Sequence, residues 1–135
     1  MINKLASLCV LACGLALAAG CSRQGSKVED FTPPSDKAQK ALEAALNHWQ
    51  SGHPPGTVPG TSPTVEVVDS KWKGGQQLKS YEILGEEGGT EPRFFKVKLT
   101  LAKGPPQEAK YAVLGIDPLW VYREEDYKAL SGAGK

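Results

Sequence analysis

The chain has 135 residues, enough for one domain. Its 16 basic and 15 acidic side chains give a formal net charge of +1. This balance argues against nucleic acid as a partner, because nucleic-acid binding needs a clustered basic surface.

An apolar stretch without charge runs from Leu5 to Ala19, after a short segment that carries Lys4. It is too short for a comfortable membrane span, which needs about 20 residues, and it ends in small residues as a signal peptide does. Cleavage before Cys21 removes Cys9 and Cys13. The single cysteine that remains excludes an intramolecular disulfide and a zinc site built on thiolates.

The end of the leader, Leu17-Ala18-Ala19-Gly20-Cys21, resembles the lipobox of bacterial lipoproteins, although Ala18 stands where that family prefers leucine. The resemblance implies that residues 1–20 are a signal peptide, that Leu17, Ala18, Ala19 and Gly20 are the signal-peptidase recognition residues, and that a diacylglyceryl lipid is attached to Cys21. Two acyl chains give stable membrane anchoring. The alternative is ordinary cleavage after Ala18, which leaves a free thiol.

Ser22 follows the cysteine, where many lipoproteins of the inner membrane carry aspartate. By resemblance, this favours the periplasmic face of the outer membrane. Residues 21–34 are polar and end in Pro33-Pro34, so we interpret them as a tether, reaching at most about 45 Å when fully extended.

We expect a globular domain over residues 35–130 and a disordered tail over 131–135. Ser35 is a candidate N-cap of an amphipathic helix that ends near Ser51-Gly52. Its apolar residues recur at helical spacing: Ala38, Ala41, Leu42, Ala45, Leu46 and Trp49. Residues 53–63 contain four prolines and are interpreted as an irregular connection.

Short apolar and alternating segments follow, which are typical of strands. Val65–Val68, Leu78–Leu84, Phe95–Leu101 and Lys110–Ile116 are the four predicted strands, with a hairpin turn at Gly85–Gly89. Leu119–Tyr122 is read as a further short strand or extended segment, and Glu124–Leu130 as a short helix. One helix packed on a four-stranded antiparallel meander predicts a two-layer α+β domain.

The order of elements resembles cystatin-like and NTF2-like folds. The segments Val67–Trp72, Lys79–Gly85 and Gly115–Arg123 also look like those of small bacterial lipoproteins. This resemblance implies the fold and carries no active site. The chain lacks the length for the extra helices with which larger NTF2-like domains close a pocket.

No catalytic motif accompanies the polar residues. His48 and His53 lack the spacing and partners of a metal site, and Ser70 and Ser80 lack a nucleophile elbow. The acids at 124–126 are interpreted as a solvated first helical turn. We therefore expect a non-enzymatic domain with no cofactor and no metal, apart from the lipid on Cys21.

Trp49, Trp72 and Trp120 have two interpretations. They form a binding platform for a ligand, glycan or partner protein, or they fill the core where the helix meets the strands. The core interpretation is favoured, and Trp120 is the residue that fits it least, because its strand alternation allows it to point outward. Trp120 and Arg123 are the candidate partner contacts, and Arg123 is also predicted to form a surface ion pair with Asp117 or Glu125.

The sequence thus predicts a membrane-anchored envelope lipoprotein whose small domain binds an envelope protein or a wall component. The alternative is a small-molecule carrier or an enzyme with a cleft between helix and sheet. An apolar cavity in that position would favour the alternative.

Overall fold

The computed structural model describes residues 32–87 and 92–132. The predicted signal peptide, Cys21, the tether up to Phe31, the tip of the 85–89 turn and the last three residues lie outside this part of the chain. The described elements, in chain order, are α1 (Ser35–Gln50), β1 (Thr57–Val58), β2 (Val65–Val68), α2 (Ser70–Lys73), β3 (Leu78–Glu87), β4 (Arg93–Leu101), β5 (Gln107–Gly115), β6 (Leu119–Arg123) and α3 (Glu124–Ser131).

The predicted α+β class is confirmed in its broad form, with an N-terminal helix packed on a sheet. All six apolar positions predicted for the buried side of α1 are buried. Three of the six are alanines, which allow the helix to lie close to the strands. Gly52 follows the end of the helix with a φ of 90°, as expected for glycine at a helix C-terminus.

The start of α1 differs from the prediction. Pro34 occupies the N-cap position and no side chain caps the helix. Ser35 is the first helical residue, and its hydroxyl instead donates a hydrogen bond of 2.6 Å to Glu86 Oε1 on β3. A contact with a distant strand therefore takes the place of the local capping bond.

The predicted four-stranded sheet is wrong in its strand number and in one strand direction. The sheet has six strands in the order β1-β2-β6-β5-β4-β3. An antiparallel meander of four strands does exist, but it consists of β3, β4, β5 and β6. β2 lies outside it and pairs in parallel with β6. The short segment 119–122, left open between strand and extended chain, is thus a central strand.

Three smaller corrections concern the connections. The proline-rich 53–63 segment contains β1, which pairs with β2 at one edge of the sheet. The segment after β2 forms the short helix α2, with Asp69 as its N-cap. β3 continues through Gly85 to Glu87 with a register shift between Ile83 and Gly85, so the predicted turn begins later.

The two faces of the sheet have different partners. The inner face packs against α1, and the space between them is filled by one core cluster of side chains from α1, α2 and all six strands. These side chains fill the middle of the interface between α1 and the sheet, and a groove is left beside the first half of α1. α3 lies on the outer face, where Tyr127 contacts Phe94 and Tyr122.

Candidate functional site: an outer aromatic face

The two tryptophans on the inner side belong to the core. Trp49 at the end of α1 and Trp72 on α2 are 2% and 5% exposed, and their rings stack with centroids 5.1 Å apart. Each indole N–H donates a 2.8 Å hydrogen bond to a backbone carbonyl, of Gln76 and His53 respectively. The core interpretation is confirmed for these two residues, and their polar atoms are satisfied within the fold.

The two histidines come together beside this pair. The rings of His48 and His53 stack with centroids 4.6 Å apart, and His48 also meets the edge of Trp72. Burial, and then the charge of His53, lower the pKa of His48. In the described ranges, no group of three or more histidine, cysteine, aspartate or glutamate residues is placed to hold a metal.

A buried polar cluster joins the ends of β2 and β6 to the middle of β5. Arg123 Nε donates to Asp69 Oδ1 at 2.8 Å, the Tyr111 hydroxyl donates to Asp69 Oδ2 at 2.6 Å, and Arg123 also donates to the Tyr111 oxygen at 3.3 Å. The side chains of Arg123 and Asp69 are 5% and 0% exposed. The guanidinium therefore balances a carboxylate that has almost no contact with water.

The cluster also perturbs its members and organises α2. Burial raises the pKa of the Tyr111 phenol well above its ordinary value, and the Asp69 carboxylate adds to the rise. Burial works against the charge of Arg123, but Tyr111 and Asp69 outweigh it and raise the pKa of the guanidinium. Asp69 Oδ1 further accepts the backbone N–H groups of Lys71 and Trp72, which caps α2.

Sequence reasoning missed this cluster and misplaced Arg123. The predicted surface pair with Asp117 or Glu125 is wrong, because Arg123 lies on the same face of β6 as the buried Leu119 and Val121 and therefore points to the inner face. Its role is structural. Only Asp69 could have been recognised from the sequence, as the N-cap of a helix. An aspartate that follows a strand and precedes Ser70-Lys71-Trp72 is typical of that position. Nothing local to Tyr111 or Arg123 indicates their meeting.

Four other aromatic side chains form what we call the outer aromatic face: Phe94, Trp120, Tyr122 and Tyr127. The rings of Trp120 and Tyr122 stack on β6 with centroids 5.8 Å apart. Tyr127 of α3 meets the edges of Tyr122 and Phe94, each at 6.0 Å. All four side chains are half-buried, so part of each ring meets solvent. The structure thus places Trp120 outside the inner core.

The polar atoms of this face are unused. Across residues 32–87 and 92–132, no hydrogen bond involves Trp120 Nε1, the Tyr122 hydroxyl or the Tyr127 hydroxyl. The two inner tryptophans, and Tyr81 and Tyr111, all donate to partners in the fold. Burial, and then Tyr127, raise the pKa of Tyr122.

Charged side chains border the aromatic residues on the same face. Glu87 lies 3.0 Å from Lys110 and 3.9 Å from Lys96, and Lys96 also lies 3.8 Å from Glu108. These ion pairs link side chains of β3, β4 and β5. Because solvent reaches them, each contributes little to stability. The outer side of the sheet therefore divides into an aromatic half and a charged half.

The other polar candidates have structural partners. Asp126 accepts the backbone N–H of Ser70 at 2.8 Å, and Glu124 lies 3.6 Å from Lys128 within α3. These contacts agree with the expected first helical turn. In the part of the chain that the structure describes, neither Ser70 nor Ser80 forms a hydrogen bond with a histidine. Of the helices described, none is both long enough and apolar enough to cross a bilayer.

No protein family model, curated protein or solved structure matches the chain.

Proposed function

We propose that this protein is a lipid-anchored envelope protein that binds an envelope protein partner through the outer aromatic face. Cys21 carries the lipid, residues 1–20 are removed, and the domain stands on the periplasmic face of the outer membrane. The domain acts by binding, without catalysis, cofactor or metal. We also propose that α1 with the β3–β6 meander is a cystatin-like unit, which β1 and β2 extend.

The unused donors of the outer aromatic face carry the proposal. Tryptophan and tyrosine concentrate at protein interfaces because each offers a large apolar surface together with a polar group that needs a partner. Trp120, Tyr122 and Tyr127 present three such groups on one sheet face. Leu114, opposite Trp120 on β5, and the exposed Ile116 extend the apolar area beside them. A surface that combines apolar area with several hydrogen-bond donors in this way suits a protein partner.

The anchor is tested by metabolic labelling with a fatty acid. The wild-type protein is expected to incorporate the label, and Cys21→Ala is expected to remain unlabelled and to leave the membrane fraction. Ser22→Ala is the matched control, because it keeps the sulfur. Equal labelling of wild type and Cys21→Ala would refute the lipid on Cys21.

The binding face is tested by site-specific photocrosslinking in intact cells. A photoreactive amino acid at Tyr122 is expected to give a discrete protein adduct. The same residue at Ser80, which lies on the outer side of β3, serves as the control. Trp120→Ala in the Tyr122 background is expected to reduce the adduct at least tenfold, since interface tryptophans often contribute 2 kcal/mol or more.

Three results would contradict this binding mode. Equal adducts at Tyr122 and Ser80 would show contact without a preference for the aromatic half of the outer side. An unchanged adduct in the Trp120→Ala background would remove the aromatic face from the interface. Crosslinks that recover only the murein sacculus would identify a wall component as the ligand instead of a protein.

A further inference from the structure

A groove lies between the first half of α1 and the adjoining starts of β2 and β6, with a volume of about 360 Å³. Its walls are mainly apolar, and they are formed by Ala41, Ala44, Pro63, Val65 and Leu119. Val65 and Leu119 are register partners in the parallel pair, so the groove runs over the point where these two strands begin.

Two lysines stand at the rim of this groove. Lys37 and Lys40 are exposed and lie three residues apart on α1, so they project from one side of the helix. Among the described residues, neither lysine forms an ion pair, and the side chains that line the groove include no acid. Ser62 adds an exposed hydroxyl beside them. The rim is therefore suited to an anion, and the walls are suited to hydrocarbon.

The groove lies beside the point where the tether enters the domain. Pro33 is buried, and its carbonyl accepts a 2.6 Å hydrogen bond from Arg93 Nε, which holds the chain two residues before α1 begins. Lys37 follows four residues later. Cys21 precedes Pro33 by 12 residues, a distance of at most about 43 Å when extended. A lipid on Cys21 would thus keep this end of the domain within reach of the bilayer surface.

We propose that the groove docks on the headgroup of an anionic glycerophospholipid in the membrane that carries the anchor. The lipid phosphate lies between the ammonium groups of Lys37 and Lys40, and the glycerol and first methylenes lie on the apolar walls. Two observations support this occupant. The two lysines complement an anionic headgroup, and the short tether keeps the groove near the membrane. This proposal rests on the lipid anchor of the proposed function.

Docking in this way orients the domain. The groove lies on the α1 side of the sheet, whereas the outer aromatic face lies on the opposite side. A domain held by its groove therefore leaves Trp120 and Tyr122 uncovered. Anionic lipid would act as a second, weaker attachment that limits the orientations which the tether allows.

The test uses the full mature, lipidated protein reconstituted in vesicles. Cys21 is blocked by its lipid, so an introduced cysteine is the only thiol to label. Asp36→Cys places a fluorophore beside the groove, and Gln77→Cys places it near the other end of α1, about 20 Å away along the helix. A quencher on lipid headgroups reports proximity in vesicles of phosphatidylcholine alone or with one-third phosphatidylglycerol.

We expect phosphatidylglycerol to increase quenching at position 36 at least twofold and to leave position 77 unchanged. Lys37→Glu/Lys40→Glu is expected to abolish the increase. The matched control, Lys79→Glu/Lys103→Glu, makes the same change in net charge at exposed positions away from the groove and is expected to keep it. Inorganic phosphate at constant ionic strength is expected to leave the increase intact, because it lacks the apolar part.

The alternatives give different results. Equal increases at positions 36 and 77, or an increase that survives Lys37→Glu/Lys40→Glu, would overturn the docking site in favour of general surface attraction. Strong quenching that is the same in both vesicle types would indicate that an acyl chain of the protein's own anchor fills the groove. Loss of the increase on adding phosphate would indicate a site for free phosphate. Mass spectrometry that finds no lipid on Cys21 overturns the anchor, and the docking proposal with it.

Discussion

Asp69 joins three segments of the domain through a single side chain. One carboxylate caps α2, accepts from Tyr111 and balances the charge of Arg123. A buried ion pair is not strongly stabilising in itself, but removal of one partner leaves the other charge buried and uncompensated. The three segments that meet at Asp69 therefore depend on its charge as well as on its shape.

Asp69→Asn tests this dependence. The amide keeps the size of the side chain and one acceptor oxygen, but it leaves Arg123 without a counter-charge, so we expect the free energy of unfolding to fall by about 3–5 kcal/mol. Urea unfolding measures the change. Asp117→Asn, at an exposed acid, is expected to change stability by no more than about 0.5 kcal/mol.

A double variant separates charge from packing. Asp69→Asn/Arg123→Met removes both charges and keeps most of the volume, and we expect it to be more stable than Asp69→Asn alone. If the double variant is the less stable of the two, the cluster contributes through its hydrogen bonds and not through charge balance.

The lowered pKa of His48 predicts that the stability of the domain depends on pH. Its pKa is lowered in the folded state, first by burial and then by His53, so the folded protein binds fewer protons than the unfolded chain. This contribution is complete above the ordinary histidine pKa of about 6.5 and is lost as the pH falls towards and through the folded pKa. Urea midpoints between pH 7.5 and 5.5 are expected to decrease on acidification, and less so in His48→Gln. The same slope in both proteins would contradict the assignment.

At the scale of elements, the position of β2 next to β6 distinguishes this sheet from a simple meander. β2 and β3 are neighbours in sequence, but β6, β5 and β4 lie between them in the sheet. The four strand spacings amount to about 19 Å. α2, capped by Asp69, redirects the chain after β2 so that β3 begins the meander at the opposite edge.

Engineered cysteines distinguish the two arrangements. Glu66 and Trp120 are register partners on β2 and β6, so Glu66→Cys/Trp120→Cys in a Cys9→Ser/Cys13→Ser/Cys21→Ser background is expected to form a disulfide under mild oxidation. Glu66→Cys/Glu82→Cys joins strands that a consecutive meander would pair, and it is expected to stay reduced. Thiol titration and a gel-mobility shift report the outcome. A disulfide in the second pair alone would refute the parallel β2–β6 pairing.

At the scale of the whole molecule, Arg93 ties the entry of the chain to the far hairpin. Its Nε donates to the Pro33 carbonyl and its Nη1 lies 2.6 Å from Glu86, which also accepts from Ser35. The Ser35 hydrogen bond, and then Arg93, lower the pKa of Glu86. One arginine thus holds the segment before α1 against β3 and β4.

Arg93→Ala is expected to release this segment. We expect a loss of about 1 kcal/mol in the free energy of unfolding, since the pair is partly exposed but a backbone carbonyl also loses its donor. Hydrogen exchange at the Ala38 amide, which bonds to the Pro34 carbonyl, is expected to accelerate. Lys98→Ala on the same strand, at an exposed side chain, is the control and is expected to leave both measurements unchanged.

Local patterns were sufficient for most of the elements. The buried side of α1, the four main strands and the C-terminal helix follow from periodicity and breakers in the sequence, because each depends on neighbours a few residues away. For 119–122 the same pattern allowed either a short strand or an extended segment. The leader and the lipobox-like stretch, by contrast, lie outside the described residues and stay predictions.

Contacts between distant segments required the three-dimensional arrangement. Three features join residues about 12 to 54 positions apart. They are the parallel pairing of β2 with β6, the hydrogen bond from Ser35 to Glu86, and the cluster of Asp69, Tyr111 and Arg123. The partial exposure of the Trp120 side chain also depends on distant contacts. It follows from where α3 packs and from which sheet face this side of β6 belongs to. Alternation along a strand defines two faces, but it does not state which face the rest of the chain will cover.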